Sequence, residues 1–276
     1  MLGESGRSDL LLFGQHTVTP ASHRLRASFQ PEHFQLLRMV EDRHFWFVAR
    51  REIVLHALRR FAPYDAELNV LEIGCGTGNV LRFFQRSTRW RLTGMDVHAP
   101  ALEICRQDSN IPLVVASAVD LPFGQWWDLV GLFDVLEHID DDQAVLDACR
   151  ATLRRGGRLV LTVPAFPFLW SSFDVTACHR RRYKRENLVA SLRRAGFEIE
   201  RATYFMCALL PLVYAFRKLR DHFGRKSASS SDLPFEVRMP KVVNGPLLAL
   251  LRVEGRMLER FDLPCGVSLL VVARVL

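Results

Sequence analysis

The 276-residue chain has no C-x-x-C pair; its six cysteines, Cys75, Cys105, Cys149, Cys178, Cys207 and Cys265, are scattered. That spacing excludes a zinc ribbon and points to reduced thiols in a cytoplasmic compartment. No apolar run reaches the ~20 residues of a spanning helix, and the uncharged stretch 202–216 is broken by Pro211. The apolar run at 10–13 is shorter than the ~7–15 residues of a signal-peptide core, so export is not expected. Internal repeats are absent. With 49% apolar and 24% charged residues, disorder of the whole chain is excluded. A chain of this length buries roughly 75% of its unfolded surface. One large domain, or one domain with additions, is the expectation.

Acidic side chains are the minority charge, 30 against 37 basic, giving a net charge of +7. The imbalance suggests an anionic partner, with nucleic acid, a membrane surface and an acidic substrate all open. Residues 1–30 lack a sustained period and read as a mobile leader. Apolar residues at helical spacing predict one or two helices over 31–62, ended by Ala62-Pro63. Strands at 69–73, 91–96, 113–116, 129–133 and 158–163 then alternate with helices at 79–85, 99–106 and 142–153. A helix at 185–195, stopped by Gly196, leads to strands at 197–204 and 266–275. That alternation predicts an α/β fold, a doubly wound, mostly parallel seven-stranded sheet.

The first strand runs into Glu72-Ile73-Gly74-Cys75-Gly76-Thr77-Gly78-Asn79. Glycines there let the backbone approach a nucleotide closely. Asn79 breaks the dinucleotide fingerprint, and the absence of a lysine excludes a P-loop. The Glu72 carboxylate repels a pyrophosphate but attracts a ligand carrying ammonium and sulfonium charges. S-adenosylmethionine fits this loop better than NAD or ATP.

With Glu72, Gly74, Gly76 and Gly78 in this order, the sequence resembles the class I S-adenosylmethionine-dependent methyltransferases, and the resemblance runs over 69–203. It implies a Rossmann-like methyltransferase fold with Asp96 on the ribose hydroxyls. It assigns Ser117, Ala118 and Val119 to adenine, Ser117 standing where relatives often have Asp. The segment from Phe133 to Ile139 resembles the motif that lines the methyl-transfer site, so Phe133 joins the cofactor set. Asp134, Glu137 and His138 resemble the acidic-plus-His set of ubiquinone-pathway O-methyltransferases, in which a divalent cation can sit near the acceptor oxygen. Asp134 replaces their Glu and the sequence locates no further ligand, so no metal is predicted.

Two long connections leave the ends of strands where substrate binds. The first, 164–184, carries aromatics and the run His179-Arg180-Arg181-Arg182-Tyr183, which resembles the H-x-R-R-Y segment of a bacterial branch of the superfamily. It reads either as a solvated charge run or as a helical turn presenting His179 and Tyr183 to the cleft together. The second, 205–265, is an insertion before the last strand and is expected to cover the substrate opening. It reads as a helical hairpin on the enzyme body or as interfacial helices against an anionic membrane, with Arg217, Lys218, Arg220 and Arg225 on head groups. The expected organisation is a leader (1–30), N-terminal helices (31–62), a core (63–204 and 266–276) and a helical lid (205–265).

Methyl transfer from a sulfonium requires a positioned acceptor and, for a hydroxyl, a base. His138 is the first candidate, His179 the second, and Tyr183 accompanies them. The leading expectation is O-methylation of a small-molecule or lipid-like acceptor by a cytoplasmic enzyme, at the inner membrane face under the interfacial reading. An RNA or DNA methyltransferase is the enzyme alternative, and a cofactor-binding scaffold without catalysis is the non-enzyme one.

Overall fold

The computed structural model describes residues 31–222 and 241–276. The expected leader, the serine-rich break at 227–231 and Arg225 lie outside the described residues. Helices α1 (Pro31–Glu41) and α2 (Phe45–Leu58) precede β1 (Asn69–Ile73), α3 (Asn79–Ser87), β2 (Arg91–Asp96), α4 (Ala99–Gln107) and β3 (Leu113–Val115). Next come β4 (Trp127–Phe133), α5 (Asp142–Thr152), β5 (Leu153–Pro164), a short α6 (Ser172–Thr176), α7 (Arg185–Arg194) and β6 (Phe197–Phe205). The described chain closes with α8 (Leu210–His222), α9 (Lys241–Leu258) and β7 (Ser268–Val275).

All seven strands form one sheet in the order β3-β2-β1-β4-β5-β7-β6. β1 to β5 are mutually parallel, while β7 is antiparallel to both β5 and β6. The expected doubly wound α/β sheet is therefore present, and strand order reverses between β1 and β4, where a ligand crevice forms beyond the carboxyl ends. Most strand bounds shift by one or two residues; the largest difference is at β5, which starts at Leu153 because that residue pairs with Trp127 before the ladder resumes at Arg158 opposite Leu129.

Successive side chains of a strand face opposite ways, and β7 uses both faces. Leu270 and Val272 join the core beneath α2, α3 and α9; Leu269, Val271 and Ala273 join the core beneath α5 and α7. Continuous apolar strands of this kind are what a sheet covered on both sides demands.

The described parts of the 205–265 segment are built into the body. Leu251 and Leu258 of α9 are fully buried in the same core as Ile53 and Leu58 of α2. Asn244 accepts from the Phe45 amide at 2.7 Å, and Arg252 donates twice to Glu52, each bond 2.8 Å. Glu254 caps the turn before α8 by accepting from the amides of Cys207 and Ala208. Among the described residues no helix is long and apolar enough to cross a membrane.

At Gly266 a Cβ would lie 2.2 Å from the Phe205 carbonyl oxygen, a backbone clash that side-chain motion cannot relieve. Gly266→Ala is expected to lower unfolding free energy by ~1–3 kcal/mol, the range for overpacking. Urea denaturation measures it, and an unchanged midpoint would contradict the close approach of β6 and β7.

Candidate active site

The glycine turn between β1 and α3 opens on the crevice. Gly74, Gly76 and Gly78 all have positive φ (70°, 53° and 84°). A Cβ at Gly78 would also lie 2.3 Å from Cys105 Sγ, whereas one at Gly76 would meet nothing within 4 Å. Gly76 thus faces open space, and its amide donates to Asp96 Oδ2 at 2.8 Å. Asp96 Oδ1 accepts from the His98 amide at 2.8 Å and faces the His98 ring at 3.0 Å. The carboxylate is fixed at the tip of β2, pinning turn and strand end together.

Glu72 is 4% exposed, and its Oε2 has no hydrogen-bond partner among the described residues. Burial pushes its carboxyl up to about 8; Arg50 opposes that shift and the Asp96 charge adds to it. Next to Asp96, where Ala116 donates to the Asp96 carbonyl, Ser117 bridges to Asp120 and accepts weakly from the Val119 amide. Ser117 is buried, Ala118 half-buried and Val119 exposed. The Phe133 ring, at the end of β4, lies in the core edge-on to Phe84 at 6.2 Å.

N-terminal residues contribute a clamp that the sequence pattern did not reveal. Glu41, at the end of α1, accepts from Thr77 Oγ1 and from Arg82 Nη2, each at 2.6 Å, and its carbonyl accepts from Asn79. Arg82 also donates to the Thr77 carbonyl. The Asn79 that breaks the dinucleotide fingerprint thus has a structural partner. A helix-terminal Glu far upstream in sequence carries no spacing signal that would pair it with this turn.

Beyond β4 the backbone of Asp134 is left-handed (φ 57°), a strained setting for a residue with a Cβ. Its carboxylate accepts from Arg50 of α2 and from Thr162 Oγ1 at 2.9 Å. A short 3-10 turn, Leu136–His138, follows. Glu137 is wholly buried, and neither carboxylate oxygen has a hydrogen-bond partner among the described residues. Burial first, and the Asp134 charge second, raise its carboxyl well above the usual range. His138 meets His179 edge-on, ring centroids 4.9 Å apart. Burial, reinforced by His179, lowers the His138 imidazole to about 4.

His179 Nδ1 lies 2.9 Å from Asp174 Oδ1, and Nε2 lies 3.9 Å from Glu137 Oε1. Asp174 is fully buried; it also accepts from Arg182 Nε at 2.7 Å and from the Ser171 amide at 2.9 Å, with Arg217 of α8 at 3.6 Å. Burial works against its charge, but the His179 hydrogen bond and the two guanidiniums outweigh burial and hold the carboxyl below its ordinary range.

A family model described as a methyltransferase domain matches residues 42–202, more than half of the chain. The chain belongs to the methyltransferase domain family, within the class I S-adenosylmethionine-dependent superfamily. A Mycolicibacterium smegmatis protein named as a probable S-adenosylmethionine-dependent methyltransferase is 28% identical, covering 58% of this chain and 62% of the relative. The demethylmenaquinone methyltransferase of Thermotoga maritima is 33% identical over 33% of this chain and 42% of its own. The chain spans less than two thirds of either relative. The ubiquinone biosynthesis O-methyltransferase of Xanthomonas axonopodis pv. citri is 26% identical, covering 65% of this chain and 85% of the relative. Among solved structures, an S-adenosylmethionine-dependent methyltransferase from Mesorhizobium loti has a TM-score of 0.51 at 20% identity, covering 79% of this chain and 95% of that one. Haemonchus contortus phosphoethanolamine N-methyltransferase 2, in complex with S-adenosyl-L-methionine, has a TM-score of 0.53 at 16% identity, covering 80% and 52%. At these identities the structures establish a shared fold.

Two expectations for this methyltransferase-domain chain need correction. Residues 179–183 form no helical turn: Tyr183 exchanges backbone hydrogen bonds with the end of β5, donating to Pro164 and accepting from Phe166. Its hydroxyl donates to Asp142 Oδ2 at 2.9 Å, and burial followed by the Asp142 charge raises its pKa. His179 therefore joins His138, while Tyr183 braces the turn from beneath. The cations of the run are also largely neutralised. Arg180 faces Asp140, Arg181 faces Asp142, and Arg182, 7% exposed, is committed to Asp174 and the Ala165 carbonyl.

A buried acid raised to about 8 keeps its proton in the folded state and releases it near 4.5 when exposed, so its contribution to stability falls as pH rises between those values. Glu72→Gln is expected to match the parent near pH 5 and to become progressively more stable than it toward pH 8. Denaturation across that range tests the assignment; a stability difference that stays flat with pH speaks against a buried, protonated Glu72.

Proposed function

We propose that this chain transfers the methyl group of S-adenosylmethionine to an oxygen of an apolar, lipid-like acceptor. Asp96 would accept the ribose hydroxyls, which a carboxylate with two acceptor oxygens can do while retaining Gly76. Glu72 lies beneath the positively charged methionine end, and 117–119 flank adenine. The acceptor oxygen attacks the methyl carbon in line, the carbon–sulfur bond breaks, and its electron pair leaves with sulfur as the neutral thioether. The hydroxyl proton passes to the Glu137, His138 and His179 cluster. That cluster, with His179 oriented by a buried carboxylate beside the strand ends, is the observation that carries the reading. A scaffold without catalysis has no use for it.

Several features support an apolar acceptor. An open groove of about 480 Å³ lies between α8 and the loop after β5, lined by Phe168, Leu210, Pro211, Tyr214 and Lys218. This groove supports a covering role for the 205–265 segment. Leu212 on α8 and Val242, Leu250, Val253 and Met257 on α9 are exposed, as are Lys218, Arg256 and Arg260. Exposed apolar side chains interspersed with cations on these helices suit collection of an acceptor from an anionic bilayer surface. Relatives named for ubiquinone and menaquinone methylation agree with this acceptor class. Neutralisation of Arg180 to Arg182 counts against nucleic acid, which needs unpaired cations for its phosphates.

Cell extract incubated with the chain and methyl-labelled cofactor, then separated into lipid, RNA and small-molecule fractions, tests the acceptor class. Label is expected in the lipid fraction, and label in RNA would replace this reading with the nucleic-acid one. Asp96→Ala is expected to weaken cofactor binding by roughly 10–100-fold, the effect of losing hydrogen bonds to a charged group worth ~1.5–3 kcal/mol; calorimetry reporting unchanged affinity removes the ribose role.

A further inference from the structure

We propose that Glu137, His138 and His179 form a binding site for one divalent first-row transition ion of the zinc class, with Asp174 as the carboxylate that orients His179. One ligand atom from each of the three lies within 4.8 Å of the other two. Two imidazoles and a carboxylate on an ion at ~2.0–2.1 Å stand ~3.4 Å apart in tetrahedral geometry, so closing the set takes about an ångström of side-chain movement. The donor set selects the ion: imidazole nitrogen favours zinc, cobalt and their neighbours over magnesium and calcium, which prefer all-oxygen shells.

Two independent observations point to a cation. Glu137 is wholly buried, and neither of its oxygens accepts a hydrogen bond among the described residues. A carboxylate removed from water without a partner is costly, and a coordinated cation satisfies it. The second is the outer contact of His179, whose Nδ1 meets Asp174 while Nε2 points toward Glu137. A metal-ligating imidazole commonly donates its other ring N–H to a carboxylate in this manner.

This set differs from the one that the acidic-plus-His resemblance implies. Asp134 is withdrawn, because its two oxygens already accept from Arg50 and Thr162. His179 takes its place, brought from more than forty residues downstream by the loop after β5. Three protein ligands leave a coordination position open. With an ion bound, the three side chains would act as its ligands and no longer as the base: the ion would supply Lewis acidity to a hydroxyl that approaches it, and the hydroxyl proton would leave to water. That use rests on the proposed methyl transfer to oxygen; ion binding itself does not.

The full chain in a Cys207→Ser, Cys265→Ser background, stripped with chelator and dialysed, is titrated with Co²⁺ and with Zn²⁺. The background is needed because the two thiols lie 3.4 Å apart and would compete for the ion. One equivalent of Co²⁺ is expected to develop a visible ligand-field spectrum that Zn²⁺ bleaches and millimolar Mg²⁺ does not. His179→Gln and Glu137→Gln are expected to weaken binding at least 100-fold, and Asp174→Asn by roughly 10–100-fold, the usual effect of losing an outer-shell partner. Asp134→Asn is expected to retain parental affinity, and circular dichroism verifies the fold of each variant. No saturable binding by the parent, or binding that survives in His179→Gln and vanishes in Asp134→Asn, overturns the proposal. Because the titration needs neither cofactor nor acceptor, a chain that binds the ion but labels no lipid would sink the acceptor reading alone.

Discussion

The buried carboxylate of Asp174 is the contact on which the acceptor side of this molecule depends. It caps α6 through Ser171, receives His179 and Arg182, and attracts Arg217 of α8. One side chain thereby joins the loop after β5, the candidate catalytic imidazole and the first helix of the insertion. A charge removed from water is tolerated only when so matched, and the partners come from two parts of the chain, His179 and Arg182 from the loop after β5 and Arg217 from α8. Loop, imidazole and insertion thus share one carboxylate. Arg182 extends the network to the Ala165 carbonyl and Arg217 to that of Leu169, so loop backbone as well as side chains is held.

On the cofactor side the corresponding device is Glu41. Its contacts to Thr77 and Arg82 close the end of α1 over the glycine turn, and Arg50, farther along on α2, reaches Asp134. The two N-terminal helices are thus part of the crevice wall. Since α9 packs along α2 through Leu251 and Leu258, the insertion and the N-terminal helices form one layer. A division into core, N-terminal addition and lid is useful for reading the chain but does not describe how the residues pack.

Much of the fold was legible because its elements follow local rules. Apolar runs of five to eight residues, separated by amphipathic stretches and glycine turns, announce a parallel sheet covered on both faces, and the seven strands lie close to their expected positions. Gly74, Gly76, Gly78 and Asp96 were legible for the same reason, since a strand, a turn and a second strand end fix them within a short span. What escaped were contacts between segments distant in sequence. Nothing near Glu41 announces Arg82, and nothing near Asp174 announces Arg217. Tyr183 was misplaced because a helical spacing was assumed where the chain instead pairs with the end of β5. Phe133 belongs to a recognisable segment, and its packing against Phe84 became visible only with α3 in place. The basic run illustrates the limit of composition: the net charge counts cations, while the acids that neutralise Arg181 and Arg182 become visible only once α5 and α6 are packed beside them.

The position of β7 has a consequence for biosynthesis. It lies between β5 and β6, although both precede it and residues 205–265 separate it from them. As the chain leaves the ribosome, β1 to β5 can assemble in order, but β5 keeps one open edge and β6 has no neighbour until residues 268–275 emerge. Unpaired edges are templates for pairing with other chains, and a strand inserted last at long sequence separation closes slowly. The nascent protein therefore passes through a stage in which two of the seven strands, β6 and β7, are not yet in the sheet.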